Sequence, residues 1–237
     1  MSAAAAAAAE SFQGFRAETF AWFEGLERDN SKAYFTATRE RYEHDVRGAL
    51  EALLDELGAR LGGASRVFRQ QRDLRFTPDK TPYKSRTYGV LAGSDQARAG
   101  LYAELSSQGL YAGSGYHRLA RDQLARFRAA VADDATGSAL AAAVADARAG
   151  GLDVVGSSLT GTPRGVARDH PRIVLLRHTA LIAGRRIPGR RGIARADALA
   201  HVAGTWQAAR PLTTWLDEHV GPSSEPEPRR RPGGATA

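Results

Sequence analysis

Gly100-Leu101-Tyr102-Ala103-Glu104-Leu105-Ser106 and Leu110-Tyr111-Ala112-Gly113-Ser114-Gly115-Tyr116 read as two strands, and Ser107-Gln108-Gly109 between them reads as the turn of a hairpin. Residues 87–91, just upstream, read as a third strand. The connections are too short to hold a crossover helix, so the sheet is expected to be antiparallel. Residues 67–76 alternate loosely. A strand over 69–76 places Arg69, Gln71, Asp73 and Arg75 on one face and Gln70, Arg72, Leu74 and Phe76 on the other. With charge on both sides, such a strand must be an edge or line a polar cleft.

Helices flank this region. Residues 17–27 read as a short helix with Phe20, Phe23 and Trp22 facing inward, and Asp29-Asn30-Ser31 gives the next N-cap signal. From Lys32 to about Leu61, apolar residues recur at three- and four-residue steps through Tyr34, Phe35, Tyr42, Val46, Leu50, Leu53, Leu54 and Leu57. That spacing predicts one helix of about 45 Å, weakest at Gly48 and ended by Gly62-Gly63. Downstream, residues 120–131 and 137–149 read as helices and 152–155 as a strand. Residues 163–165 and 169–171 read as turns, and 173–179 as a short apolar element. The Gly-, Pro- and Arg-rich run 184–192 reads as an exposed loop. Residues 194–209 and 211–220 close the chain as helices anchored by Trp206 and Trp215. The expected class is therefore α+β, an antiparallel β-meander packed against a long N-terminal helix and C-terminal helices. Residues 12–220 are expected to form one domain, between a disordered Ala-rich start (1–11) and a disordered Pro/Arg-rich tail (221–237).

Composition removes several classes of function. The chain has 237 residues, a net charge of +7 and no cysteine. A disulfide framework, a thiolate metal site and a cysteine nucleophile are excluded. No apolar run approaches the ~20 residues of a membrane span, and the start lacks the basic segment of a signal peptide. The sequence reads as cytoplasmic, with no membrane partner. The six histidines show no helical metal-ligand spacing, so no metal is expected, and nothing in the residues names a cofactor. Gly113-Ser114-Gly115-Tyr116 is too short for a dinucleotide fingerprint. Pro78-Asp79-Lys80 lacks the downstream acidic-x-Lys strand of a nuclease core.

The positive charge concentrates in residues 66–86 (net +5) and 164–195 (net +8). If the fold joins them, they form an anion-binding surface. The chain uses thirty arginines but only three lysines, and two of those, Lys80 and Lys84, share one loop. Lysine is a compact cation with an adjustable pKa, and arginine a fixed planar fork. In the run Arg69-Gln70-Gln71-Arg72-Asp73-Leu74-Arg75-Phe76-Thr77-Pro78-Asp79-Lys80-Thr81-Pro82-Tyr83-Lys84, Arg72 and Arg75 suit an anion clamp. Lys80 and Lys84 would neutralise the anion, Asp73 would orient an arginine, and Tyr83 would stack or donate a hydrogen bond. If the site performs chemistry, Lys80 or Tyr83 with Asp79 are the acid–base candidates. The ligand would be an anionic small molecule or a nucleic acid, for which Tyr83, Tyr88, Tyr102 and Tyr111 offer stacking surfaces. The alternative is a protein-interaction domain in which the same residues form an internal salt-bridge network. Oligomeric state is not encoded in any motif.

The pattern Arg72-Asp73-x-Arg75-Phe76-x-x-Asp79-Lys80-x-Pro82-Tyr83-Lys84 resembles the signature of the domain of unknown function 2461 family. The resemblance extends to Asp29-Asn30-x-x-x-Tyr34-Phe35, where that family usually has Asn-Asn and Trp-Phe, and to Gly113-x-Gly115-Tyr116. It continues through Leu124-x-x-Phe127-Arg128, Pro163-x-Gly165 and Asp169-His170-Pro171. It implies a single cytosolic α+β domain over about residues 12–220. It makes Arg72, Asp73, Arg75, Asp79, Lys80, Tyr83 and Lys84 the characteristic positions, and it brings no activity with it.

Overall fold

A computed structural model describes residues 11–75, 78–93 and 100–225. In chain order it contains β1 (Gly14–Phe15), α1 (Ala17–Arg28), α2 (Lys32–Ala37), α3 (Arg39–Arg41), a π-helical stretch (Tyr42–Gly48), α4 (Ala49–Leu61) and β2 (Ala64–Val67). Then follow β3 (Arg86–Ala92), β4 (Leu101–Ser106), β5 (Gly109–Tyr116), α5 (Arg121–Ala132), α6 (Asp134–Ala149) and β6 (Asp153–Val155). The order ends with α7 (Ile173–Leu176), β7 (Leu181–Ile187), β8 (Ile193–Ala194) and α8 (Arg195–His219).

The hairpin forms as its spacing predicts. β4 and β5 pair antiparallel, from Leu101 opposite Ser114 to Ser106 opposite Gly109. Around them stands a six-stranded antiparallel sheet in the order β2-β3-β4-β5-β7-β6. Strand periodicity divides it into two faces. Leu91, Leu101, Ala103, Leu105, Leu110 and Ala112 point to one face and join an apolar cluster with Leu54, Leu57, Val202 and Trp206. A second cluster on that side gathers Phe127, Leu181, Ala183 and Trp215. On the other face stand Tyr88, Tyr102, Glu104, Tyr111 and Arg186, none of which belongs to either cluster. The α+β class and the antiparallel order hold.

Four expectations are corrected. The helix over 32–61 is interrupted. It pauses at Thr38, whose hydroxyl accepts from the Trp22 indole at 3.0 Å and donates to the Tyr34 carbonyl at 2.9 Å. It then widens into the π stretch, a form that recurs at functional sites. Gly48 permits that wide turn, since a Cβ there would lie 2.9 Å from the Glu43 carbonyl oxygen five residues back.

Over the described residues 69–75 the expected strand does not form. β2 ends at Val67; beyond it the Phe68 N–H still donates to the Tyr88 carbonyl at 2.9 Å, and Gln71 forms an isolated bridge to Tyr83. With polar side chains on both faces, that segment has no apolar face to bury. Phe76 and Thr77 lie outside the described residues.

The run 184–192 is not simply a loop. Gly184, Arg185 and Arg186 lie inside β7, a strand between β5 and β6. Its composition disguised it. Gly184 is the space occupied by the Tyr111 ring, and Arg185 reaches the Thr205 hydroxyl of α8 at 3.0 Å. Finally, the two closing helices are one, α8, which runs through Pro211. The proline forfeits one helical hydrogen bond, but Leu212, Thr213, Trp215 and Leu216 on the next turn are buried and hold the axis in place. The tails 1–10 and 226–237 lie outside the described residues, and Ser223 and Ser224 are bonded to Asp122.

Gly184 provides a direct check on the sheet order. A Cβ at this position would overlap the Ala112 carbonyl oxygen and the Tyr111 hydroxyl. Gly184→Ala is expected to destabilise the fold by about 1–3 kcal/mol, read as a lower midpoint in urea unfolding. An unchanged midpoint would contradict the β5–β7 pairing.

Candidate functional site

Where β2 ends, the chain makes a short ribbon that is closed by side-chain amides. The Arg72 N–H donates to the Pro82 carbonyl at 2.9 Å, and the Lys84 N–H to the Gln70 carbonyl at 3.0 Å. Gln70 is fully buried. Its carboxamide donates to the Lys84 carbonyl and accepts from the Thr87 hydroxyl at 2.8 Å. From the start of α2, Asn30 grips Tyr83 in both directions, accepting from its N–H at 3.0 Å and donating to its carbonyl at 3.1 Å. The Tyr83 ring stacks on Phe35 with centroids 4.2 Å apart and planes 10° from parallel. Both rings belong to the apolar cluster. The base of the loop is therefore fixed on the core by two amides and one ring pair.

Above that base, the loop pairs largely with itself. The Arg72 guanidinium donates to the Asp79 carboxylate and the Thr81 hydroxyl. Asp79 also accepts from the Thr81 N–H at 3.0 Å and hydroxyl at 2.8 Å. These bonds, the Thr81 amide first, hold Asp79 down at about 2. Asp73 accepts from Arg75 through Nε at 2.9 Å and Nη2 at 2.6 Å, and its carboxyl lies well below the usual range because of those bonds. Lys80 donates to the Leu74 carbonyl at 3.0 Å. Asp73, Arg75, Asp79 and Lys80 are exposed. Exposed ion pairs add little to stability.

Lys84 is different. Its ammonium donates to the Arg69 carbonyl. Partial burial lowers its pKa, and the charges of Arg69 and Arg86 lower it further. Among the described residues, no carboxylate forms an ion pair with Lys84 or Arg69, although Asp73 feels the Arg69 charge. A cleft of about 460 Å³ opens here, lined by Arg72, Asp79, Lys84, Ser85, Arg86 and Tyr88. A second cleft of about 380 Å³ lies along the π stretch, lined by Lys32, Arg39, Glu43, Arg47, Arg69 and Tyr83. At its wall, Tyr42 is buried, and burial pushes its hydroxyl up to about 12.

The first cleft opens onto the outer face of the sheet. There Glu104, 6% exposed, accepts from the Tyr102 hydroxyl at 2.6 Å and pairs with Arg186 at 2.9 Å and Arg86 at 3.4 Å. The two basic stretches meet at this carboxylate, but through Arg186 alone of the second. Arg172 is committed to the Val131 carbonyl and Asp134, Arg185 to Thr205, and Arg195 to Glu56.

The structure thus brings Arg72, Asp73, Arg75, Asp79, Lys80, Tyr83 and Lys84 onto one loop, with Tyr83 turned into the core. The sequence reading missed Gln70, Glu104 and Arg186, and assigned Asn30 to helix capping. Ser31 is the residue that caps, accepting from the Tyr34 N–H at 3.1 Å. A lone Glu104 in a strand of Leu, Tyr and Ala was a visible signal. Among the described residues no group of three or more His, Asp or Glu side chains is placed to hold a metal. His170 serves its turn, accepting from the Arg172 N–H at 3.0 Å. No helix among the described residues is long and apolar enough to cross a membrane.

The model of a family described as "Conserved hypothetical protein (DUF2461)" matches residues 18–215. No curated protein matches the chain.

The amide clamp and the exposed pairs are expected to separate in stability. Asn30→Ala removes both partners of the Tyr83 backbone and should cost about 1–3 kcal/mol. Asp73→Ala should leave the unfolding midpoint where it is. Calorimetric melting of the two variants checks this, and a large loss for Asp73→Ala would contradict the placement of that pair.

Proposed function

The chain belongs to the DUF2461 family of conserved hypothetical proteins, and within that family we propose that it binds a phosphate-bearing ligand in the cleft beside Lys84. The observation that carries this reading is a local surplus of positive charge. Lys84 stands beside Arg69 and Arg86 without a carboxylate in ion-pair reach among the described residues. An anion entering there gives Lys84 the counter-charge that Glu104 gives Arg86. Lys84 and Arg86 are the direct contacts, and Ser85 lines the cleft between them. Arg72, Asp73, Arg75, Asp79 and Lys80 shape the loop through exposed bonds, and an incoming phosphate can exchange with such bonds at little cost. Tyr83, stacked on Phe35, anchors the loop and also lines the cleft. Asp79, held at about 2, is too weak a base for proton transfer near neutrality, so the reading assigns no reaction.

A second reading, a protein-interaction domain with a structural motif, is favoured by one observation: Arg72 with Asp79 and Asp73 with Arg75 satisfy each other inside the loop. Titration calorimetry with inorganic pyrophosphate separates the two. Binding that falls about tenfold or more in Lys84→Gln and is retained in Asp73→Asn supports the anion site. Binding to neither wild type nor variant leaves the interaction domain.

The Lys84 amine also imposes a pH dependence. Its folded pKa is lowered, and only the protonated form attracts phosphate. Affinity should therefore fall as pH rises, beginning below the range of an ordinary lysine. Lys84→Arg should flatten that fall, because guanidinium stays charged. A wild-type profile that matches that of Lys84→Arg would contradict the role given to Lys84.

A further inference from the structure

We propose that the outer face of the sheet is a stacking platform for the bases of a single-stranded nucleic acid, whose phosphates reach the cleft beside Lys84. This rests on the anion-binding reading above and names its ligand class. The face carries a continuous row of rings. Phe68 stacks on Tyr88 at 4.9 Å, Tyr88 meets Tyr102 at 5.6 Å, and Tyr102 meets Tyr111 at 6.1 Å. Among the described residues no side chain of this face joins either apolar cluster; Phe68, Tyr88 and Tyr111 remain partly exposed, while Tyr102 between them is buried with His117 against its ring at 5.0 Å.

Tyr111 shows how the platform is built. Its ring lies across β5 and β7 where the chain has Gly113 and Gly184. A Cβ on Gly113 would come within 2.9 Å of the Tyr111 hydroxyl, and one on Gly184 would overlap it. The two glycines leave room for the Tyr111 ring against the strands, and it stands edge-on to Tyr102 at 66°. Cations stand over the rings: Arg66 above Phe68 at 4.9 Å, Lys84 above Tyr88 at 5.0 Å, and Arg186 above Tyr111 at 5.3 Å. Rings interleaved with cations suit a ligand that alternates aromatic bases with phosphates.

The register sets the spacing. Tyr88, Glu104, Tyr111 and Arg186 lie directly opposite one another across β3, β4, β5 and β7. Tyr88 and Tyr111 are two strands apart, about 10 Å. The charge balance on this face favours an anion. Among the described residues, Arg66, Lys84, Arg86 and Arg186 face Glu104, already paired with two arginines, and Asp153 on the β6 rim, while Asp73 and Asp79 at the cleft are paired with Arg75 and Arg72. A duplex hides its base faces in its own stack, so a row of partly exposed rings favours an unpaired strand.

The test is fluorescence anisotropy with an end-labelled oligothymidylate of about a dozen nucleotides, beside an abasic strand of equal length and a duplex. Wild type should bind the oligothymidylate about tenfold or more tighter than the abasic strand. Tyr111→Leu should erase most of that difference while leaving pyrophosphate binding intact. Phe68→Leu, a ring of the row outside the cleft, serves as the second variant, with circular dichroism confirming the fold of each. Equal binding of the two strands, both lost in Lys84→Gln, would overturn the stacking platform and leave the anion site standing. Duplex binding as tight as single-strand binding would also overturn it. Binding of neither strand, nor of pyrophosphate, would overturn both.

Discussion

Glu104 is the carboxylate on which the outer surface of the sheet depends. A charge this deeply buried is costly unless its partners are close. Here the partners come from three strands: Arg86 from β3, the Tyr102 hydroxyl from β4 itself, and Arg186 from β7. The compensation fixes more than an energy. It pulls two long guanidinium side chains inward across the sheet and sets one beside the loop and the other above Tyr111. Without Glu104, the two arginines would repel each other and the face would lose its order. The carboxylate thus makes a positively charged surface possible by neutralising its centre.

A division of labour follows at the loop. Neutral amides provide the rigid part. Asn30 and Gln70 are bonded to backbone groups that would otherwise lie unsatisfied near the core. Ionic groups provide the adjustable part, since Arg72, Asp73, Arg75 and Asp79 make their pairs in contact with solvent. Lysine instead of arginine at position 84 fits this arrangement. The ammonium donates to the Arg69 carbonyl and stands over the Tyr88 ring, and its pKa, unlike that of a guanidinium, responds to that placement.

Much of the fold was legible because it rests on local patterns. The β4–β5 hairpin, α5, α6 and the inward Trp206 and Trp215 follow from periodicity and turn residues. β7 was not legible, because Gly184 answers to the Tyr111 ring on a neighbouring strand and Arg186 to Glu104 two strands away. The π stretch was hidden for a similar reason, since its apolar spacing is compatible with an ordinary helix and only Gly48 marks it. At the candidate site, the ionic residues could be read from their density in the loop. Which of them pair with each other, and which cation lacks a carboxylate, depends on tertiary placement. The sequence reading gives both Arg72 and Lys84 to the anion; in the structure Arg72 is paired with Asp79, and Lys84 lies partly buried beside Arg69 and Arg86.

The central claim is that the unneutralised cation at Lys84 marks the ligand site. The most direct test is to follow backbone amide resonances while pyrophosphate is added. The account predicts that the largest shifts fall at Lys84, Ser85, Arg86 and Tyr88, with smaller ones at Arg186 across the shared Glu104. Shifts confined to Lys32, Arg39 and Arg47, in the cleft along the π stretch, would contradict it.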